Sequence, residues 1–272
     1  MRVDSHHHVW RPDRGDYGWL TPDLPIHRDY GLQDLRPLLG DIRATVLVQA
    51  APTEAETQFL LRTARDSGGL VRGVVGWVDL GATDSPARIA ALAGDTLLKG
   101  LRPMLHDIPD EAWILRSELQ PALEEIAARG LVFDALVRPP HLPVVLELAR
   151  RHPALRIVID HAAKPEIAAG HMQPWADDIA RVARETQFAC KLSGLVTEAA
   201  TDWRVADLQP YVAHLLDVFG PQRLMWGSDW PVVNLAGGYR RWRDATLELL
   251  RHLPDAARDA VLGGTATTVY GL

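Results

Sequence analysis

Short apolar segments alternate with longer amphipathic segments along the whole chain. Eight segments have the apolar, β-branched composition of buried strands, at residues 2–9, 44–50, 71–80, 98–105, 132–138, 156–163, 188–194 and 223–230. Between them apolar residues recur at helical spacing, as in "TEAETQFLLRTARDSG", "ELQPALEEIAARG" and "HLPVVLELARRHP". In the first of these helices, Thr53 followed by Glu56 resembles a capping box, and Gly68 is predicted to end the helix.

A strand followed by a helix, repeated eight times, is typical of a parallel sheet closed by an outer layer of helices. We therefore expect an α/β fold, a single-domain (β/α)8 TIM barrel formed by residues 1–272, either regular or distorted. Two segments lie outside the repeat. Residues 10–37 are rich in Pro, Gly and Asp but also in aromatic residues, which predicts an ordered, lid-like loop after strand 1. Residues 239–272 are expected to close the bottom or the side of the barrel.

Composition narrows the range of partners and locations. The chain has 272 residues, 47% of them hydrophobic, and a formal net charge of −6 that is spread along its length. No basic cluster indicates binding to nucleic acid or to an anionic membrane, so a small-molecule partner is expected. A single cysteine, Cys190, favours a reducing compartment, and the first residues lack the apolar core of a signal peptide. We expect a cytoplasmic protein that does not bind a membrane and is a monomer or a small homo-oligomer.

Polar residues cluster at the predicted strand ends, where the active site of such a barrel lies. They are His6 and His8, Gln49, Arg102 and His106, His161, Lys191 and Ser193, and Asp229. Side chains of a strand alternate between its two faces, so within "DSHHHVW" His6 and His8 share one face and His7 lies on the other. Facing the barrel interior, His6 and His8 can hold one cation, with Asp229 of the neighbouring strand 8 as a carboxylate ligand.

The motifs that carry these residues resemble the amidohydrolase superfamily. The matching stretches are "DSHHHVW", "VVGWVDL", "LKGLRPMLHD", "VIDHAAKP", "CKLSGLVTEA" and "FGPQRLMWGSDWPV", which extend from strand 1 to strand 8. Within the superfamily the chain is most similar to the sugar-lactonase branch, which includes L-fuconolactonases, L-rhamnonolactonases and 2-pyrone-4,6-dicarboxylate lactonase. The resemblance implies that His6, His8 and Asp229 form the central site with His161 nearby, and that Arg102, Lys191 and Lys164 contact the substrate.

The resemblance also bears on metal content. Binuclear members of the superfamily use a carboxylated lysine at the end of strand 4 and a histidine on strand 5. Here Lys99 lies at the start of strand 4, and "VFDALVR" contains no histidine. We expect the protein to bind at most one divalent ion, and zinc is the expected ion. The alternative is an enzyme that needs no metal, because members of this branch differ in metal use.

The activity that follows is hydrolysis of a sugar-acid lactone such as L-fucono- or L-rhamnonolactone. Asp229 is predicted to be the general base, while His161, Lys191 and Arg102 stabilise the oxyanion or bind the substrate. The remaining predicted substrate contacts are Gln49, Trp77, His106, Lys164, Trp19 and Trp230. For several of these residues a structural role stays open: Asp229 as a turn cap, Arg102 in an ion pair, Lys164 in solvent, and the tryptophans in packing.

Three other functions stay open at this stage. The chain could hydrolyse a pyrone or another dicarboxylate lactone, or it could be a metal-dependent decarboxylase of an unsaturated acid. A non-catalytic sugar-binding barrel is the third, and it explains the set His6, His8, His161 and Asp229 poorly.

Overall fold

The computed structural model describes all residues, 1–272, and contains eight parallel strands in sequential order. The strands are β1 (Val3–His7), β2 (Ala44–Val48), β3 (Val71–Gly76), β4 (Leu98–Leu101), β5 (Val132–Ala135), β6 (Arg156–Ile159), β7 (Ala189–Leu192) and β8 (Leu224–Trp226). Residues just beyond β8 close the ring, since the His8 amide donates to the Trp230 carbonyl at 2.6 Å and the Asp229 amide donates to the His6 carbonyl at 2.8 Å. The predicted (β/α)8 TIM barrel is confirmed.

Ten α-helices surround the barrel or close its lower end. They are α1 (Leu32–Leu35), α2 (Glu54–Arg65), α3 (Ser85–Leu92), α4 (Gln120–Ala128), α5 (Leu142–Arg151), α6 (Trp175–Glu185), α7 (Val205–Phe219), α8 (Tyr239–Leu249), α9 (Asp255–Asp259) and α10 (Thr265–Tyr270). None of these helices is long and apolar enough to cross a membrane.

Only one of the two hydrogen bonds of the predicted capping box forms at the start of α2. The Thr53 hydroxyl accepts from the Glu56 amide at 3.0 Å, as expected of an N-cap. The Glu56 carboxylate, however, does not return to Thr53. It accepts from the backbone amides of Ala50 and Ala51, just past the end of β2. Glu56 therefore ties the loop after β2 to the helix that follows it.

The strands are shorter than the sequence predicts, because the chain leaves the sheet before it reaches the polar residues. β6 ends at Ile159, and residues 161–164 form a turn of left-handed backbone with φ between 51° and 59°. β8 likewise ends at Trp226, three residues before Asp229. These side chains are therefore carried on tight turns rather than on the last strand residues.

The barrel interior has an apolar lower layer and a charged upper layer. Val132, Val158 and Ala189 belong to an apolar cluster that Ala266 and Tyr270 of α10 complete from below. Two residues further along β5 and β7 lie Asp134 and Lys191, both fully buried, and Asp160 follows directly after β6. The C-terminal segment thus closes the bottom of the barrel, as the sequence predicts.

The long segment 10–37 is ordered. Trp10 and Tyr30 pair in an isolated antiparallel bridge, and both side chains are buried. The Trp19 indole donates to the Ala50 carbonyl at 2.7 Å, which holds the middle of the segment at the end of β2. Trp19 also lines the cavity at the mouth of the barrel, so the segment covers one side of the mouth.

Candidate active site

Three histidines and one aspartate converge at the carboxyl ends of the strands. The Asp229 Oδ1 atom lies 3.2 Å from His8 Nε2, 3.7 Å from His6 Nε2 and 4.0 Å from His161 Nε2. The two Nε2 atoms of His6 and His8 are 3.2 Å apart. All four side chains are at least nine-tenths buried, so their interactions are little screened by water.

His8 has a fixed orientation. Its Nδ1 lies 2.8 Å from the Val48 carbonyl, which only accepts, so Nδ1 carries the proton in the neutral ring and Nε2 presents a lone pair toward Asp229. His7 is directed away from this group, and its Nε2 lies 2.9 Å from the Thr45 hydroxyl. The structure therefore separates His6 and His8 from His7, in agreement with the alternation of the strand.

His161 is held by the left-handed turn on which it lies. Left-handed backbone is unfavourable for non-glycine residues, and here four follow one another, from His161 to Lys164. The Trp175 indole donates to the Ala162 carbonyl at 2.7 Å, and His161 Nδ1 lies 2.8 Å from the Ser193 hydroxyl. A Cβ atom on Gly194 would lie 2.6 Å from His161 Nδ1, so the ring needs a glycine beside it.

The charges of the group follow from its burial. Burial alone raises the pKa of the Asp229 carboxyl, but the three histidines outweigh it and hold this pKa well below its ordinary value. Burial lowers the pKa of His6 well below its ordinary value, and it lowers that of His161 to about 4 against the opposing pull of Asp229. At neutral pH the group thus contains an ionised carboxylate beside neutral His6 and His161 rings.

These residues suit a divalent ion. His6, His161 and Asp229 each offer one ligand atom, and the three atoms lie within 4.8 Å of one another. The predicted ligand set contained His8 in place of His161, and His8 Nε2 presents its lone pair to the same carboxylate oxygen. Imidazole nitrogens with one carboxylate oxygen form the donor set typical of zinc, and the contacts of His8 Nδ1 and His161 Nδ1 are the outer support such ligands usually have.

A cavity of about 200 Å³ opens above Asp229. Its polar side includes Arg102, His106 and Lys164, and its apolar side is formed by Trp19, Ala50, Met104, Leu136 and Val232. Two buried polar atoms of its lining residues, Arg102 Nε and His106 Nδ1, have no hydrogen-bond partner within the protein. A larger cavity of about 580 Å³ lies at the opposite end of the barrel and contains none of these residues.

Seven of the predicted site residues line this cavity, and five do not. Those lining it are His8, Trp19, Arg102, His106, His161, Lys164 and Asp229, while His6, Gln49, Trp77, Lys191 and Trp230 lie outside it. His6 lies directly behind His8 and Asp229. The other four do not line the cavity in this structure, and their contact with a substrate stays a prediction.

Lys191 and Gln49 are buried supports of the site in this structure. The Lys191 ammonium lies 2.5 Å from Asp134 Oδ2 and 3.0 Å from Asp160 Oδ1, with no exposed surface. Gln49 donates to the Arg102 carbonyl at 3.0 Å and accepts from the Arg102 guanidinium at the same distance. Arg102 is further paired with Asp160 at 3.1 Å, so it combines the predicted structural ion pair with a place in the cavity wall.

Trp230 is a packing residue in this structure, whereas the Trp77 side chain is only partly buried. Trp230 is buried, and its ring meets that of Tyr30 edge to face at a centroid distance of 5.2 Å. The Trp77 backbone is tied to the Thr57 hydroxyl of α2 by both its amide and its carbonyl. For Trp230 the packing role that the sequence left open describes the geometry, while the substrate contact predicted for Trp77 stays a prediction.

Asp134, Asp160 and Tyr270 were not among the predicted site residues. Asp134 and Asp160 are charged residues that lie within or directly after apolar segments. A signal was available in the sequence, because a lysine predicted to be buried, Lys191, requires carboxylate partners nearby. Tyr270 lies in the last turn of the chain, and nothing local relates it to the barrel interior.

Glu56 is expected to make stability pH-dependent. Burial raises the pKa of its carboxyl from 4.5 to about 7, although hydrogen bonds from Ala51 and Ala50 act in the opposite direction. Between these values the folded protein retains a proton that the unfolded chain has lost, so the unfolding free energy falls as pH rises. We expect the wild type to lose about 3 kcal/mol more of its unfolding free energy over this range than Glu56→Gln does.

Urea unfolding of both proteins at about pH 5 and about pH 8 measures the difference. Other buried carboxyls, such as Asp4 and Asp134, are common to both proteins and cancel in the comparison. Equal pH dependence in the two proteins would show that Glu56 is ionised throughout this range.

Comparisons with known proteins agree with this geometry. The chain is 45% identical to the L-fucono-1,5-lactonase of Burkholderia ambifaria over 99% of this chain and 95% of that protein. It is 38% identical to the L-fucono-1,5-lactonase of Burkholderia multivorans over 100% and 96% of the two chains. A 2-pyrone-4,6-dicarboxylate hydrolase of Comamonas testosteroni is more distant, at 27% identity over 86% of this chain and 77% of that one.

Among solved structures, an amidohydrolase from Burkholderia multivorans with bound zinc superposes with a TM-score of 0.93. It is 38% identical in sequence, and the alignment covers 100% of this chain and 99% of that chain. The model of the amidohydrolase family matches residues 3–272. The resemblance identified from the strand-end motifs is confirmed, and the chain belongs to the amidohydrolase family.

Proposed function

We propose that this protein hydrolyses a sugar-acid lactone to the free acid, with a 1,5-lactone of the L-fucono type as its substrate class. The observation that carries the proposal is the Asp229 carboxylate, which lies within 4.0 Å of the His6, His8 and His161 rings at the base of a small cavity with one polar and one apolar side. The identity of 45% to an L-fucono-1,5-lactonase over nearly the whole chain supports the same reaction.

The cavity suits a small polyhydroxylated ring. Its polar side carries Arg102 Nε and His106 Nδ1, which are buried without a partner within the protein and can bond to substrate oxygens. Burial lowers the pKa of His106 to about 3, helped by the nearby Lys164 and Arg102 charges, so its neutral ring can both donate and accept. Trp19 and Met104 on the other side offer apolar surface to the carbon face of the ring.

Asp229 is proposed to act as the proton carrier. It takes a proton from the water that attacks the lactone carbonyl, and it returns this proton to the ring oxygen as the C–O bond breaks. Because the pKa of Asp229 is held low, the carboxylate is ionised before each turnover and gives up the proton readily to the far more basic alkoxide. His161 and Arg102 border the same space and would stabilise the negative charge on the carbonyl oxygen.

For the metal we propose at most one divalent ion, zinc, held by His6, Asp229 and His161 or His8. When bound, such an ion would lower the pKa of water or polarise the lactone carbonyl. A second ion lacks ligands, because Lys99 is on the bottom side, where its Nζ donates to the Gly271 carbonyl at 3.2 Å. Strand β5 offers only Asp134, which is already paired with Lys191.

A dicarboxylate lactone fits the cavity less well. Its two carboxylates need cationic partners, but Arg102 is paired with Asp160 and Lys164 lies 2.7 Å from Glu198. Each cation of the wall therefore already has a carboxylate partner within the protein. We further propose a cytoplasmic enzyme, monomeric or a small homo-oligomer, that binds no nucleic acid; the single cysteine and the dispersed charge support this assignment.

The purified protein should release acid from L-fucono-1,5-lactone in a pH-stat assay, and it should release no carbon dioxide from aromatic or unsaturated acids. Spontaneous hydrolysis of the lactone is subtracted with heat-denatured protein. Metal analysis should find no more than one equivalent of zinc per chain. Turnover of a pyrone dicarboxylate in preference to sugar lactones would contradict the proposed substrate class, and loss of turnover with a chelator would assign the ion a part in the reaction.

A further inference from the structure

Glu56 is a buried carboxylic acid that the proposed reaction does not use. Its side chain has no exposed surface, and it does not line the cavity above Asp229. An ionisable group in such a position is costly unless hydrogen bonds offset the loss of water. The hydrogen bonds of Glu56 therefore define what it does in the fold.

Two backbone amides donate to this carboxylate. The Ala50 amide lies 3.1 Å and 3.0 Å from the two carboxylate oxygens, and the Ala51 amide lies 2.7 Å from Oε2. Both amides lie just beyond the sheet, because the last amide here that bonds to β3 is that of Gln49, 2.8 Å from the Val75 carbonyl. Glu56 thus takes over from β3 as the hydrogen-bond acceptor for this part of the chain.

The carbonyl ends of the same two peptide groups hold side chains of the cavity wall. A trans peptide group is planar, with its C=O and N–H directed oppositely, so a bond at one end fixes the direction of the other. In the group between residues 49 and 50, the carbonyl accepts from the Arg102 guanidinium. In the next group, the Ala50 carbonyl accepts from the Trp19 indole at 2.7 Å. Arg102 lies on the polar side of the cavity and Trp19 on its apolar side.

Trp19 depends on this arrangement more than Arg102 does. The indole N–H is the only donor of the Trp19 side chain, so no second side-chain hydrogen bond can hold the ring. Arg102 is better secured, since its guanidinium also bonds to the Gln49 side chain and to Asp160. A shift of the two peptide groups should therefore displace Trp19 more than Arg102.

We propose that Glu56 is a positioning residue of the substrate cavity, which orients the two peptide groups that hold Trp19 and Arg102 in the cavity wall. His8 is not held in this way, because its ring bonds to the carbonyl of Val48, which lies within β2. The effect on turnover rests on the proposed lactonase function, whereas the effect on the Trp19 hydrogen bond does not.

Glu56→Gln tests the proposal, because one of the two carboxylate oxygens becomes an NH2 group that faces a backbone donor. Native-state hydrogen exchange of the Trp19 indole proton, followed by ¹H–¹⁵N NMR of the full-length protein, measures the bond to Ala50. We expect this proton to exchange about 10-fold faster in the variant, as for the loss of one hydrogen bond. The signal is assigned from Trp19→Phe. The measurement is made at about pH 8, because burial raises the pKa of Glu56 to about 7 and the carboxyl is ionised above that value.

The indole proton of Trp203 is the internal reference, since it donates to the Ala236 carbonyl at 2.9 Å. A variant that only lost stability would speed exchange at both indoles, so the ratio of the two rates separates positioning from stability. We expect the Trp203 rate to stay unchanged. Glu56→Asp keeps the charge but is one methylene shorter, so it should also speed exchange at Trp19 and not at Trp203.

Kinetics on L-fucono-1,5-lactone provide the second measurement. For Glu56→Gln, kcat/KM should fall about 10-fold, mainly through a rise in KM, because the wall that binds the ring shifts while Asp229 stays in place. Glu54→Gln is the matched control. It removes a carboxylate from the same first turn of α2, but Glu54 is paired with Arg88 of α3 at 3.0 Å. This variant should leave kcat, KM and both indole protons unchanged.

Unchanged exchange at Trp19 in both Glu56 variants, or equal acceleration at Trp203, would overturn the proposal. An equal effect of Glu54→Gln would overturn it as well, because the loss would then follow from charge at the start of α2. A protein that shows the expected exchange but hydrolyses no lactone would support the positioning of Trp19 and overturn the proposed function alone.

Discussion

Asp229→Asn is expected to lower kcat for lactone hydrolysis by about 10³-fold or more, the upper range for removal of a general acid–base group. The amide cannot take a proton from the attacking water, and the substitution removes the cavity-lining carboxylate that lies beside His8 and His161. Substrate binding should change little, because the ring of the lactone is proposed to be bound by Arg102, His106 and the apolar wall. The loss should therefore appear in kcat and not in KM.

The fold should survive this substitution. Asparagine has nearly the shape of aspartate, its amide can donate to the His8 Nε2 lone pair at 3.2 Å, and the backbone bond from residue 229 to the His6 carbonyl is retained. Circular dichroism and thermal unfolding check this. Asp217→Asn, an exposed carboxylate on α7, is the control and should keep full activity. A folded Asp229→Asn protein with wild-type turnover would assign the proton transfer to another group.

The barrel and the position of its site could be predicted because both depend on local patterns. Strand periodicity separated His6 and His8 from His7, and the end of each apolar run marked the edge at which Arg102, His161 and Asp229 meet. The rule that sites in such barrels lie at the carboxyl ends of strands then placed them together. The barrel and the position of its site could thus be predicted without knowing any contact between residues distant in sequence.

What could not be predicted depends on contacts across the barrel. Lys191 was correctly assigned to the interior, but its depth depends on where β7 stands relative to β5 and β6, a register that no single strand reveals. The structure places it one layer below the cavity, facing Asp134 and Asp160. The left-handed turn at residues 161–164 was also unforeseen, because four non-glycine residues in this conformation go against local preference.

The position that His161 must reach explains why a strained turn is tolerated at this point of the chain. His161 could not reach Asp229 from a strand that continued past Ile159, and the turn redirects the ring toward it. The cost is offset by burial of Ala162 and Ala163 in the main core and by the Trp175 hydrogen bond. Strain stored beside a catalytic group is common in enzymes. Here Trp175, which supports the turn, lies at the start of α6, outside the site itself.

The three consecutive histidines are expected to differ sharply in their tolerance of substitution. His6→Ala and His8→Ala should each lower kcat/KM by about 100-fold, the upper end of the effect for groups that orient or ligate at a catalytic centre. His8 loses the ring that joins the Val48 carbonyl to Asp229, and His6 loses the ring between Lys191 and Asp229. His7→Gln should retain turnover within a few-fold.

His7 is a demanding control because it is as buried as the other two. Burial lowers its pKa to about 3, so the ring is neutral and contributes no charge to the site. Its Nε2 contacts the Thr45 hydroxyl, and a glutamine amide can keep that hydrogen bond, so the variant tests position rather than burial. Thermal unfolding of all three variants separates stability from catalysis. If His7→Gln lost as much kcat/KM as His6→Ala and His8→Ala at equal stability, the assignment of only two of the three rings to the active site would be wrong.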